Sequence, residues 1–170
     1  MRTIGYITGV FLLGLTGLVI ACAVSSAVFL KTAYSLVAIQ FGDIPTISNK
    51  SLRPLLNKAN SELVLVDVRT PEERRISVIP GAITKDDFEE NPAKYQNRTV
   101  VVYCTIGYRS GQYTRQLRQQ GLDAYNLSEG ILGWAHIDGR LVNDQQQTTR
   151  QVHVYSRPWN LAVKNHTVIY

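Results

Sequence analysis

Cysteine and histidine are scarce in this chain, which has two cysteines and three histidines among 170 residues. Cys22 lies in an apolar N-terminal run and Cys104 lies far downstream, so a stabilising disulfide between them is not expected. The histidines (His136, His153 and His166) are scattered, and no Cys-x-x-Cys pair or Cys/His cluster has the spacing of metal ligands. The sequence therefore predicts no metal site, and nothing in it indicates a cofactor.

The chain also lacks a basic stripe. Its 18 Lys and Arg residues against 13 Asp and Glu residues give a formal charge of +5. Arg74-Arg75 is an isolated basic pair, and acidic residues at 86, 87, 89 and 90 separate other basic positions. Nucleic-acid binding requires clustered basic residues or aromatic residues interleaved with them. We therefore do not expect a nucleic-acid partner, and the sequence identifies no protein partner.

No charged residue occurs between Arg2 and Lys31. A helix over residues 3–30 would be about 42 Å long, and the hydrocarbon core of a bilayer is roughly 30 Å thick. We therefore predict that residues 1–31 contain a single transmembrane helix that anchors the protein to a membrane. The positive charge of Arg2 slightly favours an anchoring helix whose N-terminus is cytoplasmic, which would place the domain on the non-cytoplasmic side.

Two cleaved alternatives to the anchor stay open. Ala21-Cys22-Ala23 has the small-x-small pattern of a secretory signal cleavage site. Residues 19–22 (Val-Ile-Ala-Cys) resemble the lipobox of a lipoprotein signal. The chain stays apolar from Ala23 to Leu30, beyond the usual end of a signal peptide's apolar core, and this favours a retained anchor.

The remaining chain is long enough for one domain with its own core. We predict a linker over residues 32–45, a domain over 46–143 and a C-terminal extension over 144–170. The alternative for residues 32–44 is an extension of the anchoring helix that ends near Gly42-Asp43. In the extension, residues 151–155 alternate in polarity and could add a strand, and Trp159 could pack back on the domain.

Strand and helix signals alternate along the predicted domain. The apolar runs 63–66 and 99–103 are typical of strands buried on both faces of a parallel sheet. Thr70-Pro71-Glu72-Glu73 predicts a helix start with a capping box, and Ser48 precedes a helix over 49–59 that Pro54 should shorten. The alternation predicts an α/β fold with a central parallel sheet flanked by helices.

One loop carries the strongest functional signal. Cys104 follows the strand 99–103 and precedes a predicted helix over 110–120, with Ser110 as its expected cap. Backbone N–H groups and the positive end of a helix dipole meet at such a loop and stabilise a thiolate or a bound anion. Arg109 adds a planar cation suited to an oxyanion. An inert structural cysteine is the alternative, but Gly107, Arg109 and a helix start together favour a functional one.

Three segments resemble the rhodanese-like sulfurtransferases. Residues 104–110 have the form Cys-x-x-Gly-x-Arg-Ser of that family's active-site loop. Residues 63–73 are similar to its strand ending in Asp-Val-Arg, and residues 79–83 contain Ile-Pro-Gly-Ala. Residues 125–134 are similar to its closing strand and Gly-x-x-x-Trp helix. The chain departs from the family at Ser77-Val78 and Glu129, in connections outside the cysteine loop.

The resemblance implies that sulfur passes through a persulfide on the catalytic residue Cys104. The donor would be a small molecule such as thiosulfate, and the acceptor cyanide or a thiol. The expected substrate-binding residues are Thr105, Ile106, Gly107, Tyr108 and Arg109. The expected supporting residues are Asp67, Arg69 and Ser110. For Arg109, a purely structural salt bridge within the loop is the alternative.

Two other functions remain open. One is a non-catalytic, membrane-anchored docking module on the same scaffold, although docking would not require a nucleophile such as Cys104. The other is a cysteine phosphatase or arsenate reductase. Related enzymes of that kind close a Cys-x5-Arg loop, whereas Cys104 and Arg109 form Cys-x4-Arg. The tighter loop suits one sulfur atom better than a phosphoryl group.

Overall fold

The computed structural model describes residues 14–17, 19, 21, 25–58 and 62–170. Within these residues, none of the helices combines the length and apolar character required to cross a bilayer. Most of the predicted anchor over residues 3–30, and Cys22 with it, lies outside the described residues. The anchor and its cleaved alternatives therefore stay predictions.

The described residues form an α/β fold. The α-helices are, in chain order, α1 (Ser26–Gln40), α2 (Asn49–Leu56), α3 (Pro71–Ile76), α4 (Lys85–Glu90), α5 (Tyr108–Gln119) and α6 (Gly130–His136). The strands are β1 (Thr46–Ile47), β2 (Leu63–Asp67), β3 (Ile83–Thr84), β4 (Thr99–Tyr103), β5 (Ala124–Leu127), β6 (Leu141–Val142), β7 (Thr148–Thr149), β8 (Gln151–His153) and β9 (Thr167–Ile169). Two 3₁₀ helices complete the list, at Pro92–Tyr95 and Arg157–Ala162.

The central sheet has the strand order β1-β5-β4-β2-β3, and all its pairings are parallel. β2 and β4 pair along their whole length, from Leu63 opposite Thr99 to Asp67 opposite Tyr103. Alternate residues of these strands enter two hydrophobic clusters, one on each face of the sheet. The predicted parallel α/β architecture is confirmed, with both central strands buried as their continuous apolar runs require.

The helix starts show which local predictions hold. The Thr70–Glu73 capping box is present, since each residue's side chain accepts a hydrogen bond from the other's backbone N–H. α2 ends at Leu56 rather than at residue 59, two residues after Pro54. The expectation that Ser110 caps α5 is wrong. The helix begins at Tyr108 with Gly107 as its N-cap, so Ser110 lies inside the helix and is fully buried.

The segment before the predicted domain is mainly helical. Residues 32–40 belong to α1, whose N-cap is Ser25. Leu30 is only 1% exposed and belongs to the core cluster that also contains residues of the sheet and of α6. The last part of the predicted anchor, from Ser26 to Leu30, is therefore a helix packed on the domain.

The C-terminal extension packs on the same core. β8 pairs in parallel with β9, and Val152 and Val154 are fully buried. Trp159 packs against the core cluster and meets Phe29 of α1 edge to face, with 6.1 Å between ring centroids. The strand and the Trp159 contact expected from the sequence are thus confirmed. The segments that precede and follow the central sheet in the chain therefore pack in the same core cluster.

This packing predicts a stability difference between two leucines of α1. Leu30→Ala should lower the free energy of unfolding by about 2–5 kcal/mol, because it opens a cavity in the core. Leu36→Ala is the matched control, since Leu36 is 68% exposed and its truncation should cost less than about 0.5 kcal/mol. Urea unfolding of the two variants measures both values. Equal losses would contradict the packing of α1 on the domain.

Candidate active site

Cys104 lies at the carboxyl end of β4, on the loop that leads into α5. Its side chain is buried, with 1% of the residue exposed. The backbone N–H of Gly107 donates to the Cys104 sulfur at 3.2 Å, and the Ser110 hydroxyl lies 3.4 Å from the same atom. α5 begins at the next residue, Tyr108, so the positive end of its dipole is close to the sulfur. The Gly107 N–H and the positive end of the α5 dipole are placed to stabilise an anion at that sulfur.

The start of α6 fixes the peptide groups of the cysteine loop. The N–H groups of Ile131 and Leu132 donate to the carbonyl oxygens of Cys104 and Thr105, at 2.9 and 3.2 Å. Gly130 makes this approach possible, because a Cβ there would lie 2.3 Å from the Cys104 carbonyl oxygen. In a trans peptide the N–H points opposite to the C=O. The amides that follow these two carbonyls are therefore turned away from α6.

Gly107 closes the loop in a left-handed conformation, with φ at 105°. A side chain there would also be obstructed, since a Cβ would lie 2.9 Å from the Tyr34 ring of α1. The Asn126 amide of β5 donates to the Gly107 carbonyl at 2.9 Å and accepts from the Ser110 hydroxyl at 2.7 Å. Asn126 thus connects the end of the loop to the first turn of α5.

Glu73 of α3 connects the capping box to the cysteine loop. Its carboxylate accepts two hydrogen bonds from the Arg109 guanidinium, both 2.7 Å long, and one of 2.8 Å from the Thr105 hydroxyl. Arg109 also donates to the Thr105 hydroxyl oxygen at 3.0 Å. This bidentate ion pair joins Arg109 to a partner on α3, outside the loop, and 31% of the arginine side chain remains exposed.

Ionisation of Glu73 depends on this contact. Burial alone would raise the pKa of the Glu73 carboxyl, but the hydrogen bonds from Arg109 and Thr70 and the charge of Arg109 outweigh it. Together they lower the pKa of Glu73 from 4.5 to about 2. The carboxylate is therefore charged at neutral pH, and the pair with Arg109 has no net charge.

Asp67 and Arg69 form a second ion pair at the end of β2. Both side chains are fully buried, and the guanidinium donates to the two carboxylate oxygens at 3.0 and 2.7 Å. Arg69 also donates to the carbonyl of Ser77, which ties β2 to the segment after α3. Burial and the nearby Asp67 charge raise the pKa of the Tyr103 hydroxyl well above 10. Neither Asp67 nor Arg69 lines the pocket at Cys104.

A pocket of about 560 Å³ opens beside Cys104. It lies between the cysteine loop, one face of α1 and the C-terminal segment. Its lining residues are Ala33, Leu36, Val37, Cys104, Thr105, Ile106, Tyr108, Arg109, Tyr155 and Trp159. Among the described residues that line it, Arg109 alone carries a charge. The pocket is therefore mainly apolar, with the Cys104 sulfur at one side.

The structure thus brings most of the sequence-predicted site together and adds residues to it. Thr105, Ile106, Tyr108 and Arg109 line the pocket with Cys104, and Gly107 and Ser110 contact the sulfur. The larger set that sequence reasoning missed comprises Tyr34, Leu36, Val37, Glu73, Asn126, Tyr155 and Trp159. The capping box marked Glu73 as a helix residue, but nothing in the sequence connected it to Arg109.

The described residues contain no group of three or more His, Cys, Asp or Glu side chains that could hold a metal ion. The polar groups at the site are instead the backbone amides, the hydroxyls of Thr105 and Ser110, and the Arg109–Glu73 pair. This arrangement can stabilise an anionic sulfur nucleophile and an anion beside it.

The profile of the rhodanese-like domain matches residues 48–137, just over half of the chain. A sulfurtransferase from Allochromatium vinosum is 38% identical over 81 residues, which cover 44% of this chain and 73% of that protein. The probable adenylyltransferase/sulfurtransferase MoeZ of Mycobacterium tuberculosis is 40% identical over 96 residues, which cover 53% of this chain. The match spans 24% of MoeZ, so this chain corresponds to only part of that relative.

The solved structures include a similar fold in a thiosulfate sulfurtransferase from Pseudomonas aeruginosa. The TM-score is 0.55 at 24% identity, and the match covers 73% of this chain and 24% of that chain. The pocket walls in α1 and around residues 155–159 lie outside the 48–137 profile match. The family profile thus includes the cysteine loop and strands β2 to β5 but not these two walls.

The Glu73–Arg109 pair predicts a pH-dependent contribution to stability. Because the pKa of Glu73 is lowered from 4.5 to about 2, the contribution is fully present above about pH 4.5 and is lost as the pH falls through 2. Glu73→Gln should lower the free energy of unfolding by about 3 kcal/mol at neutral pH, and the difference from wild type should shrink towards pH 2. Urea unfolding between pH 2 and 7 measures it.

Glu90→Gln is the matched control, because Glu90 is an exposed acid at the end of α4. Its difference from wild type should stay small across the same pH range. If Glu73→Gln lowers the free energy of unfolding by the same amount at pH 5 and pH 2, the assigned role of the carboxylate is contradicted.

Proposed function

Because this chain belongs to the rhodanese-like domain family, we propose that it is a sulfurtransferase that carries sulfur as a persulfide on Cys104. The observation that carries the proposal is the Cys104 sulfur itself, which accepts the Gly107 N–H at the side of an apolar pocket. The relatives named sulfurtransferases support the class of reaction. The donor, the acceptor and the persulfide are our inference.

In the first step, the Cys104 thiolate attacks the outer sulfur of a donor such as thiosulfate. A Cys104 S–S bond forms, the sulfur–sulfur bond of thiosulfate breaks, and its electron pair leaves with sulfite. The thiolate is the reactive form in such attacks. The Gly107 N–H and the α5 dipole stabilise the negative charge on sulfur before and after transfer.

We propose that Arg109 has a double role. A guanidinium has five N–H groups, and the bonds to Glu73 and Thr105 use three of them. The two remaining N–H groups are not used in these bonds, and they can donate to a sulfonate oxygen of the donor. Since Glu73 already neutralises the Arg109 charge, this contact would orient the anion more than it would attract it.

In the second step, a thiophilic acceptor takes the outer sulfur. The persulfide anion first takes one proton from water. A thiolate or cyanide then attacks the outer sulfur, the S–S bond breaks, and its electron pair returns to Cys104. The product leaves as an organic hydropersulfide or as thiocyanate, which gives the proton back to water, and the enzyme regains its thiolate. No oxidant or reductant is consumed in the cycle.

Cys104→Ser tests the proposal directly. Serine is nearly isosteric with cysteine but cannot form a persulfide, so thiosulfate-to-cyanide transfer should fall at least about 10³-fold. Mass spectrometry after incubation with thiosulfate should find one added sulfur on wild type and none on the variant. Ser51→Ala, at an exposed position of α2 that does not line the pocket, provides a control for handling. Equal transfer by wild type and Cys104→Ser would refute the assignment.

The same preparations separate sulfur transfer from phosphatase chemistry. Cys104 and Arg109 enclose one residue fewer than a Cys-x5-Arg loop, and the guanidinium is already bound in a bidentate pair with Glu73. We expect measurable sulfur transfer and no hydrolysis of an aryl phosphate above the Cys104→Ser blank. Cysteine-dependent hydrolysis faster than sulfur transfer would favour the phosphatase alternative.

We also propose that the uncharged N-terminal run anchors the protein to a membrane, with a shorter span than residues 3–30. Since Ser25 is the N-cap of α1 and Leu30 is buried on the domain, residues 3–24 are left for the bilayer. As a helix they would measure about 33 Å, still more than the roughly 30 Å of hydrocarbon.

Alkaline carbonate extraction tests the anchor. The full chain should stay in the membrane pellet, whereas Leu13→Lys combined with Leu15→Lys should move it to the supernatant, because each lysine at mid-span costs about 3 kcal/mol. Thr3→Lys with Ile4→Lys, at the edge of the run, should stay in the pellet. Release of the wild-type chain would contradict an anchor.

A further inference from the structure

The pocket beside Cys104 is larger and less polar than a small inorganic anion needs. Its volume of about 560 Å³ is within the roughly 300–1,000 Å³ range of sites that enclose organic ligands. Thiosulfate and cyanide would occupy only a small part of it. The remaining space is bounded mainly by aliphatic and aromatic side chains.

The charges at the pocket do not favour a sulfur acceptor that carries an additional charged group. Among the described lining residues Arg109 is the one charged side chain, and its guanidinium is paired with the ionised Glu73 carboxylate. An acceptor with its own charged groups would lose hydration in this pocket without gaining an ion pair. An uncharged apolar group would gain free energy by leaving water.

The apolar walls come from outside the segment that matches the family. Leu36 and Val37 belong to α1, and Tyr155 and Trp159 belong to the C-terminal segment. α1 is held against the loop by Tyr34, whose ring lies against Gly107 and whose hydroxyl donates to Ser128 at 3.2 Å. Trp159 is held against Phe29 of the same helix. The walls are thus fixed parts of the domain, next to the sulfur.

We propose that this pocket selects the sulfur acceptor, and that the acceptor is a thiol carrying an uncharged apolar group. Leu36, Val37, Tyr155 and Trp159 determine the specificity by receiving that group. Its thiolate then attacks the outer sulfur of the protonated Cys104 persulfide, which yields an organic persulfide and the Cys104 thiolate. The inference depends on the proposed function, because it concerns the second step of that cycle.

The experiment measures discharge of the Cys104 persulfide in the full chain. The protein is first loaded with thiosulfate and freed of excess donor. It then reacts with unbranched 1-alkanethiols of two to six carbons, with 2-mercaptoethanesulfonate as a charged thiol, and with cyanide as a small acceptor. The second-order rate constant should rise about threefold with each methylene added to the alkanethiol. The charged thiol should react more slowly than butanethiol.

Two glutamine variants on α1 form a matched pair. Leu36→Gln should lower the ratio of the hexanethiol rate to the cyanide rate about fivefold. Tyr155→Gln, a third variant in the C-terminal wall of the pocket, should lower this ratio by a similar factor. Ile39→Gln should leave the ratio unchanged, since Ile39 is 79% exposed on the same helix and does not line the pocket. The chain-length series in the wild type supports or refutes the proposal without any variant.

The outcomes separate this inference from the proposed function. If Cys104 takes no sulfur from thiosulfate or any other sulfane donor, the function and the inference both fail. If the persulfide forms and cyanide discharges it, but the alkanethiol rates do not depend on chain length, only the acceptor inference is overturned. Equal effects of Leu36→Gln and Ile39→Gln would overturn the assignment of the α1 wall.

Discussion

The site depends on the hydrogen bonds between the first amides of α6 and the carbonyl oxygens of Cys104 and Thr105. They hold both carbonyls against α6, and a planar trans peptide then directs the neighbouring amides the opposite way. A cysteine loop without this constraint could expose its carbonyl oxygens, which would repel a thiolate. Gly130 allows the close approach, so the geometry of the Cys104 loop depends partly on a residue of another helix.

Features that depend on nearby residues could be predicted from the sequence. The apolar runs predicted β2 and β4, and Thr70 and Glu73 predicted the capping box of α3. Contacts across the fold could not be predicted, because they arise only when the sheet order brings distant segments together. Asn126 reaches Gly107 because β5 pairs with β4, and no local pattern around Asn126 indicates this.

Helix α1 and the Cys104 loop show a second limit of sequence reasoning. Residues 32–40 have neither helix-breaking residues nor a strong amphipathic pattern, so their sequence fits both a linker and a helix. Packing decides the outcome, since Leu30 and Phe41 are buried against the domain. The helix start at Tyr108 rather than Ser110 has a similar cause, because Gly107 ends the loop in a left-handed conformation stabilised from outside it.

The positions of the two pocket walls in the chain have a consequence during protein synthesis. Cys104 and its loop are translated well before Tyr155 and Trp159, and β8 can pair only after β9 has left the ribosome. On the nascent chain, the sheet can form while the side of the pocket made by the C-terminal segment is still missing. The thiol is then more open to oxidants and other electrophiles than in the finished protein.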